Sequence, residues 1–98
     1  MKPTPEQTAY QAGHVGTTKA IDAIAKSEGV RLLEVICDPD RPYGEMHTGD
    51  HVIKLRTNNE EMLVQITHGS FLSAEHFRHH AEHDVRMAIR DWKAKGTL

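Results

Sequence analysis

Two strand-like segments separated by four polar residues constrain the fold of this 98-residue chain more than any other feature. The segments cover residues 51–56 (HVIKLR) and 61–67 (EMLVQIT), and both are rich in apolar residues at alternating positions. Such alternation is typical of half-buried β-strands. Between them, Asn58 and Asn59 suit a two-residue type I′ turn, because asparagine tolerates positive φ. The sequence therefore predicts an antiparallel β-hairpin.

The proposed turn also determines the register of the hairpin. It pairs Arg56 with Glu61 and His51 with Ile66. One face then carries Ile53, Leu55, Met62, Val64 and Ile66, whereas the other carries Val52, Lys54, Arg56, Leu63, Gln65 and Thr67. A shift by one residue would mix the two sets. We therefore expect the first face to cover the core and the second face to be exposed.

The rest of the chain divides into an arm, two helices and one further strand. Residues 1–16 contain two prolines and two glycines, which predicts a flexible N-terminal arm followed by a single domain over residues 17–98. A first helix begins at Thr17 or Thr18 and ends at Gly29. Residues 30–37 (VRLLEVIC) predict an interior strand covered on both faces. Ser73 caps a long helix to about Lys95, with a buried stripe of Phe77, Ala81, Val85, Ala88, Ile89 and Trp92.

This order of elements predicts the fold class. The chain reads α-β-β-β-α, and short connections pair neighbouring strands in sequence. We expect an α+β domain with a three-stranded antiparallel sheet and two helices on one face, the arrangement of the double-stranded-RNA-binding fold. The fold alone does not specify a function.

Composition restricts the compartment and the partners. Cys37 is the only cysteine, which excludes an internal disulfide and indicates a reducing compartment. The sequence has neither a signal-peptide pattern nor an apolar stretch long enough to span a membrane, so we expect a cytoplasmic protein without a membrane partner. The net charge of −2 argues against charge-driven binding of nucleic acid, although eight histidines can add positive charge.

The sequence lacks the short motifs of nucleotide-binding proteins and α/β-hydrolases, and its 38–50 loop lacks the spacing of a standard cation site. It contains no Walker loop, GxGxxG or GxSxG pattern, and we expect no cofactor. The loop at residues 38–50 is rich in side-chain ligands, but two prolines restrict it and the spacing fits no standard cation site. We therefore interpret its Asp38, Asp40, Glu45 and His47 as turn residues.

His51 and His68 form the best candidate for chemistry. In the predicted register both lie on the core side of the hairpin at its open end, at diagonal positions about 7 Å apart or less. Two histidines at that separation can act as general base and general acid. Asp50 and His47 lie close enough in sequence to orient them. The alternative is a partly buried histidine that is hydrogen-bonded to the backbone.

The last helix carries four more histidines, His76, His79, His80 and His83, within an arc of about 100° opposite the buried stripe. Met87 and Arg90 extend this strip. It can be a solvated face, a metal site built on the i,i+4 pairs, or a contact surface for RNA or a protein. Lys54 and Arg56 add positive charge to the predicted binding surface.

The segments Gly49-Asp50-His51-Val52-Ile53 and Val64-Gln65-Ile66-Thr67-His68-Gly69 resemble the HicA family of small toxin ribonucleases. In that family Gly-Ser-His opens the second strand, the histidine is catalytic, and the third strand commonly runs into His-Gly. The element order is similar to the family from about residue 18 to residue 92. The resemblance implies RNA binding or RNA cleavage by His51, with His68 as its partner. Asp50 differs from the family serine, and the chain is acidic where the family is basic.

Two other functions fit the same residues. One is a non-enzymatic interaction module that binds a protein partner or forms a homodimer through the exposed sheet face and the histidine strip. The other is a metal-binding protein that uses the histidine-rich helix. The residues leave open whether the protein is an enzyme.

Overall fold

The computed structural model describes residues 2, 4–40 and 49–95. In chain order the elements are α1 (Pro5–Ser27), β1 (Glu34–Cys37), β2 (His51–Arg56), β3 (Glu61–Ile66), α2 (His68–Leu72), α3 (Ala74–His80) and α4 (Glu82–Ala94). The α+β class and the three-stranded antiparallel sheet are confirmed. The described chain has four helices rather than the two expected.

The sheet has the order β1-β2-β3, so β2 is the central strand. Its register with β3 pairs Arg56 with Glu61 and His51 with Ile66, which confirms the hairpin predicted from the sequence. Strand β1 begins at Glu34 rather than Val30 and lies at the edge of the sheet. The prediction of an interior strand covered on both faces was therefore wrong, and Leu33 just before it is 46% exposed.

The core lies between the helices and one face of the sheet. On that face Ile53 and Leu55 are fully buried, and they join a cluster that includes Ile21 of α1 and Ile89 of α4. The opposite face is more accessible, and its Leu63 is 62% exposed. The two faces therefore divide as the alternating pattern predicted.

The turn of the hairpin differs from the expected type I′. Among the described non-glycine residues only Asp38 has positive φ, so Asn58 and Asn59 do not adopt the left-handed conformations that type I′ requires. Instead, the Thr57 hydroxyl accepts hydrogen bonds from the N–H groups of Asn59 and Glu60 at 3.3 and 3.2 Å. The loop keeps the same number of residues, so the register is unaffected.

Helix α1 begins at Pro5, not at Thr17, so residues 5–16 are helical where the sequence predicted a flexible arm. Thr4 and Gln7 form a capping box with hydrogen bonds of 3.1 and 2.8 Å, and Pro5 occupies the first helical turn, where it needs no N–H partner. Gly13 does not break the helix. A Cβ at this position would lie 2.6 Å from the Phe71 carbonyl oxygen, so the glycine allows α2 to pack closely against α1.

The C-terminal region forms three helices where one was predicted. Ser73 caps α3 as expected, its hydroxyl accepting from the His76 N–H at 3.2 Å. Thr67 caps an additional short helix, α2, which begins at His68. Ala81 separates α3 from α4. None of the described helices combines the length and apolar character needed to cross a membrane.

Candidate functional site

His51 and His68 are in direct contact at the open end of the hairpin. His51 is the first residue of β2 and is completely buried on the core face of the sheet. His68 is the first residue of α2, and it is half-buried. The chain turns at Thr67, the N-cap, and brings the second ring over the first. Nε2 of His51 lies 2.8 Å from Nδ1 of His68, a hydrogen-bond distance.

Asp38 contacts His51 at Nδ1, the ring nitrogen that does not face His68. Its Oδ2 is 2.7 Å from His51 Nδ1, and its Oδ1 accepts the Val52 N–H at 3.2 Å. Asp38 follows β1 directly and has φ of 51°, a conformation that aspartate tolerates better than most residues. Its own N–H donates to the Val52 carbonyl at 2.7 Å. The carboxylate is therefore fixed to β2 by backbone and side chain together.

The distances define a chain of hydrogen bonds from Asp38 through His51 to His68. A carboxylate is an acceptor, so it selects the form of neutral His51 that carries its proton on Nδ1. Nε2 of His51 is then an acceptor for the Nδ1–H of His68. This leaves a lone pair on His68 Nε2, to which no other described residue is hydrogen-bonded. We call Asp38, His51 and His68 the histidine relay.

Two aromatic side chains enclose the relay. The Phe71 ring stacks on the His51 ring with centroids 3.9 Å apart and an interplanar angle of 17°. Tyr10 of α1 donates its hydroxyl to Asp38 Oδ2 at 3.2 Å, and its ring lies 5.0 Å from that of Phe71. Thr17 donates to the Phe71 carbonyl at 3.3 Å and fixes α2 against α1. The enclosure keeps His51 away from water and leaves His68 as the outer end.

This arrangement is able to carry a proton over two rings. If His68 Nε2 takes a proton from a bound molecule, its Nδ1 proton can move to His51 Nε2. The positive charge then lies on His51, next to the Asp38 carboxylate. A buried ion pair of this kind stabilises the charged state without moving any heavy atom. The relay therefore has the parts of a general base whose active atom is on His68.

Asp50, predicted to tune the two histidines, is not part of the relay. It is exposed, and its Oδ2 accepts a hydrogen bond from Gln65 Nε2 at 2.9 Å. Asp38, and not Asp50, is the carboxylate that is hydrogen-bonded to His51. His47 and Glu45, named from the sequence for the same loop, lie outside the described residues.

The predicted binding surface is divided over several parts of the molecule. Lys54 and Arg56 lie on the open sheet face, where they form ion pairs with Glu61 at 3.3 Å and Glu34 at 2.9 Å. Arg90 on α4, which was expected to extend the histidine strip, forms an ion pair with Glu28.

The histidines themselves lie near the surface, as predicted. His79, His80 and His83 are exposed, His76 is half-buried, and the break at Ala81 places His83 on a different helix from the other three. The rings of His76 and His80 have centroids 4.2 Å apart. Within residues 2, 4–40 and 49–95 no three His, Cys, Asp or Glu side chains are grouped so that they could hold a metal ion.

The sequence interpretation missed three residues of this site: Asp38, Tyr10 and Phe71. The loop pattern predicts that Asp38 is a turn residue, because the hairpin turn determines only the register between β2 and β3. Pairing 30–37 with the hairpin would have placed residue 38 beside Val52 and therefore near His51. The sequence does not point to Tyr10, because the prolines and glycines of its segment predict a flexible arm.

Comparison with known proteins gives no support for any family. No protein-family model, curated protein or solved structure gives a significant match to this chain.

Proposed function

We propose that this protein is a small ribonuclease in which His68 is the catalytic base and His51 and Asp38 are its positioning and charge-stabilising partners. The observation that carries the proposal is the 2.8 Å contact between His51 Nε2 and His68 Nδ1, backed by Asp38 at 2.7 Å. The resemblance to the HicA ribonucleases supports RNA as the substrate. It names His51 as the reactive histidine, whereas the complete burial of His51 favours His68.

The reaction that fits this base is attack by a ribose 2′-hydroxyl on the neighbouring phosphorus. His68 Nε2 takes the 2′-hydroxyl proton, and the 2′-oxygen forms a new bond to phosphorus. The bond from phosphorus to the 5′-oxygen breaks, and that oxygen leaves with its electron pair and takes a proton from water. The proton gained by the relay returns to water, so the products are a 2′,3′-cyclic phosphate and a free 5′-hydroxyl.

The decisive variant is His68→Asn. The asparagine NH₂ can replace Nδ1–H as the donor to His51, but it has no basic nitrogen at the position of Nε2. We therefore expect a folded protein whose RNA cleavage is slower by ~10²–10⁴-fold, the usual contribution of a general base. His79→Asn is the matched control, because His79 is exposed on α3 and forms no hydrogen bond with a residue of the relay.

The assay is cleavage of a short single-stranded RNA, with the cyclic phosphate identified by mass spectrometry. A deoxyribose-substituted strand without the 2′-hydroxyl should remain intact. Equal cleavage by wild type and His68→Asn, or cleavage of the deoxyribose strand, would contradict the mechanism. No cleavage by the wild type would remove the proposed function.

A further inference from the structure

A concave region lies at the opposite end of the hairpin from the relay. It is a cavity of about 360 Å³ between the end of α1, the β2–β3 turn and the end of α4. Its polar lining comes from Arg31, Lys93, Thr57, Asn58 and Asn59. None of the described residues that line it is acidic, although the chain as a whole has a net charge of −2.

The two cations of this cavity are not neutralised by carboxylates. Lys93 Nζ donates to the backbone carbonyl of Glu28 at 2.8 Å, a contact that positions the ammonium group without cancelling its charge. Arg31 is exposed and forms no hydrogen bond or ion pair with a described residue. The cavity therefore has two positive charges that are available to a ligand.

The carboxylates nearest to the cavity are directed elsewhere. The Glu28 carboxylate accepts hydrogen bonds from both Arg86 and Arg90, which lower the pKa of Glu28 and keep it ionised. Glu60 directs a carboxylate oxygen to Trp92 Nε1 at 2.6 Å. The Glu28 carboxylate is thus engaged by Arg86 and Arg90, and Lys93 contacts only the backbone carbonyl of Glu28.

Gly29 makes the position of Lys93 possible. This residue ends α1 with φ of 78°, a conformation that favours glycine, and a Cβ here would lie 2.8 Å from Lys93 Nζ. A side chain at Gly29 would therefore force the ammonium group to shift from its present position. Asn58 and Asn59 of the β2–β3 turn also line the cavity, and asparagine side chains are able to donate uncharged hydrogen bonds.

We propose that this cavity binds a phosphate-class anion between Arg31 and Lys93. Guanidinium and ammonium groups that are not already paired form the strong, charge-assisted hydrogen bonds by which proteins hold phosphate oxygens. The anion is either free phosphate or a phosphate of an RNA backbone. The proposal does not depend on the relay being catalytic, because the two regions lie at opposite ends of β2.

The test is a titration of the ¹⁵N-labelled protein with inorganic phosphate and, separately, with a short single-stranded RNA at constant ionic strength. We expect saturable shifts of the amide signals of Gly29, Asn58 and Asn59. Lys93→Gln and Arg31→Gln should each weaken binding roughly tenfold or more, as expected for loss of a hydrogen bond to a charged group. Lys19→Gln is the control, since Lys19 is an exposed cation on α1 outside the cavity.

Each outcome decides the proposal. Saturation by inorganic phosphate identifies free phosphate as sufficient, and saturation by RNA alone identifies a polynucleotide backbone. The proposal is overturned if neither ligand saturates the signals, or if Lys19→Gln weakens binding as much as the two cavity variants. His68→Asn should leave phosphate binding unchanged, so a failure of this site and a failure of the proposed ribonuclease activity give different results.

Discussion

Replacing Asp38 with asparagine tests the direction of the proton chain, because the two side chains have the same shape and different donors. Asp38 accepts three described hydrogen bonds, from His51 at 2.7 Å and from Tyr10 and Val52 at 3.2 Å each. An asparagine has one acceptor oxygen and one NH₂ group. With its oxygen toward His51, the NH₂ would face the Val52 N–H, and a backbone donor would lose its partner. With its oxygen toward Val52, the NH₂ can donate to His51 Nδ1 and to the Tyr10 oxygen.

The second orientation keeps all three contacts, provided that His51 changes tautomer. It avoids an unsatisfied donor, which costs about 1–3 kcal/mol, so we expect the asparagine to adopt it. His51 then donates from Nε2 to His68 Nδ1, and His68 carries its proton on Nε2. Three bonds to a charged carboxylate become neutral ones, each weaker by about 1 kcal/mol, so the free energy of unfolding should fall by about 3 kcal/mol.

Long-range ¹H–¹⁵N correlation spectra of the imidazole rings show which nitrogen carries the proton, and urea unfolding measures the loss of stability. We expect His68 to be protonated on Nδ1 in the wild type and on Nε2 in Asp38→Asn, with RNA cleavage lost. Asp50→Asn is the matched control, and for this exposed residue we expect a change of about 0.5 kcal/mol or less. A His68 ring that keeps the wild-type tautomer in Asp38→Asn would refute the reasoning.

Three further measurements test other parts of the structure. Gly13→Ala puts a Cβ 2.6 Å from the Phe71 carbonyl oxygen, so the free energy of unfolding in urea should fall by about 1–3 kcal/mol. At Gly16 a Cβ meets nothing within 4 Å, so Gly16→Ala should raise the free energy of unfolding by up to about 1 kcal/mol. Equal effects of the two variants would contradict the close packing at Gly13. Burial raises the pKa of the Cys37 thiol to about 11, so a thiol reagent should label the native protein far more slowly than the urea-unfolded chain, and similar rates would contradict this. Hydrogen bonds from Arg90 and Arg86 lower the pKa of Glu28, a contribution to stability that is present above the unfolded pKa and lost as the pH falls through the folded pKa. Glu28→Gln should therefore lower the free energy of unfolding at neutral pH and have little effect in acid, and a difference independent of pH would argue against it.

The hairpin could be predicted because its information is local. The alternation of apolar residues and the length of the loop both select the pairing of His51 with Ile66, and either one alone would have left a choice. The predicted turn type was wrong. Asn58 and Asn59 fit type I′ chemistry, but the Thr57 hydroxyl accepts hydrogen bonds from the N–H groups of Asn59 and Glu60 and favours a different turn. The register survived because it depends on the loop length and not on the turn dihedrals.

The remaining elements depend on contacts between distant parts of the chain. Gly13 is a helix breaker by intrinsic propensity, and only the approach of Phe71, far along the sequence, explains why it lies inside α1. Asp38 is likewise assigned to the site only by the β1–β2 register, which places it beside Val52. For both residues the sequence shows the residue but not its partner. The break at Ala81, within a periodic pattern that predicts one continuous helix, has no such partner in the described structure.

The inner and outer ends of the relay differ in how fully their polar atoms are hydrogen-bonded. A buried polar network that only stabilises a fold gains most when each of its groups is hydrogen-bonded, and a partly satisfied one is less stable than an apolar core. The inner groups of this network satisfy that condition, because Asp38 and His51 are each held at 2.7–2.8 Å. His68 differs from them, because its half-buried ring leaves Nε2 accessible to solvent and hydrogen-bonded to no described residue. The first two residues of the relay are therefore fixed by their partners within the fold, whereas the third presents a nitrogen that can contact water or a bound molecule, as the proposed general base requires.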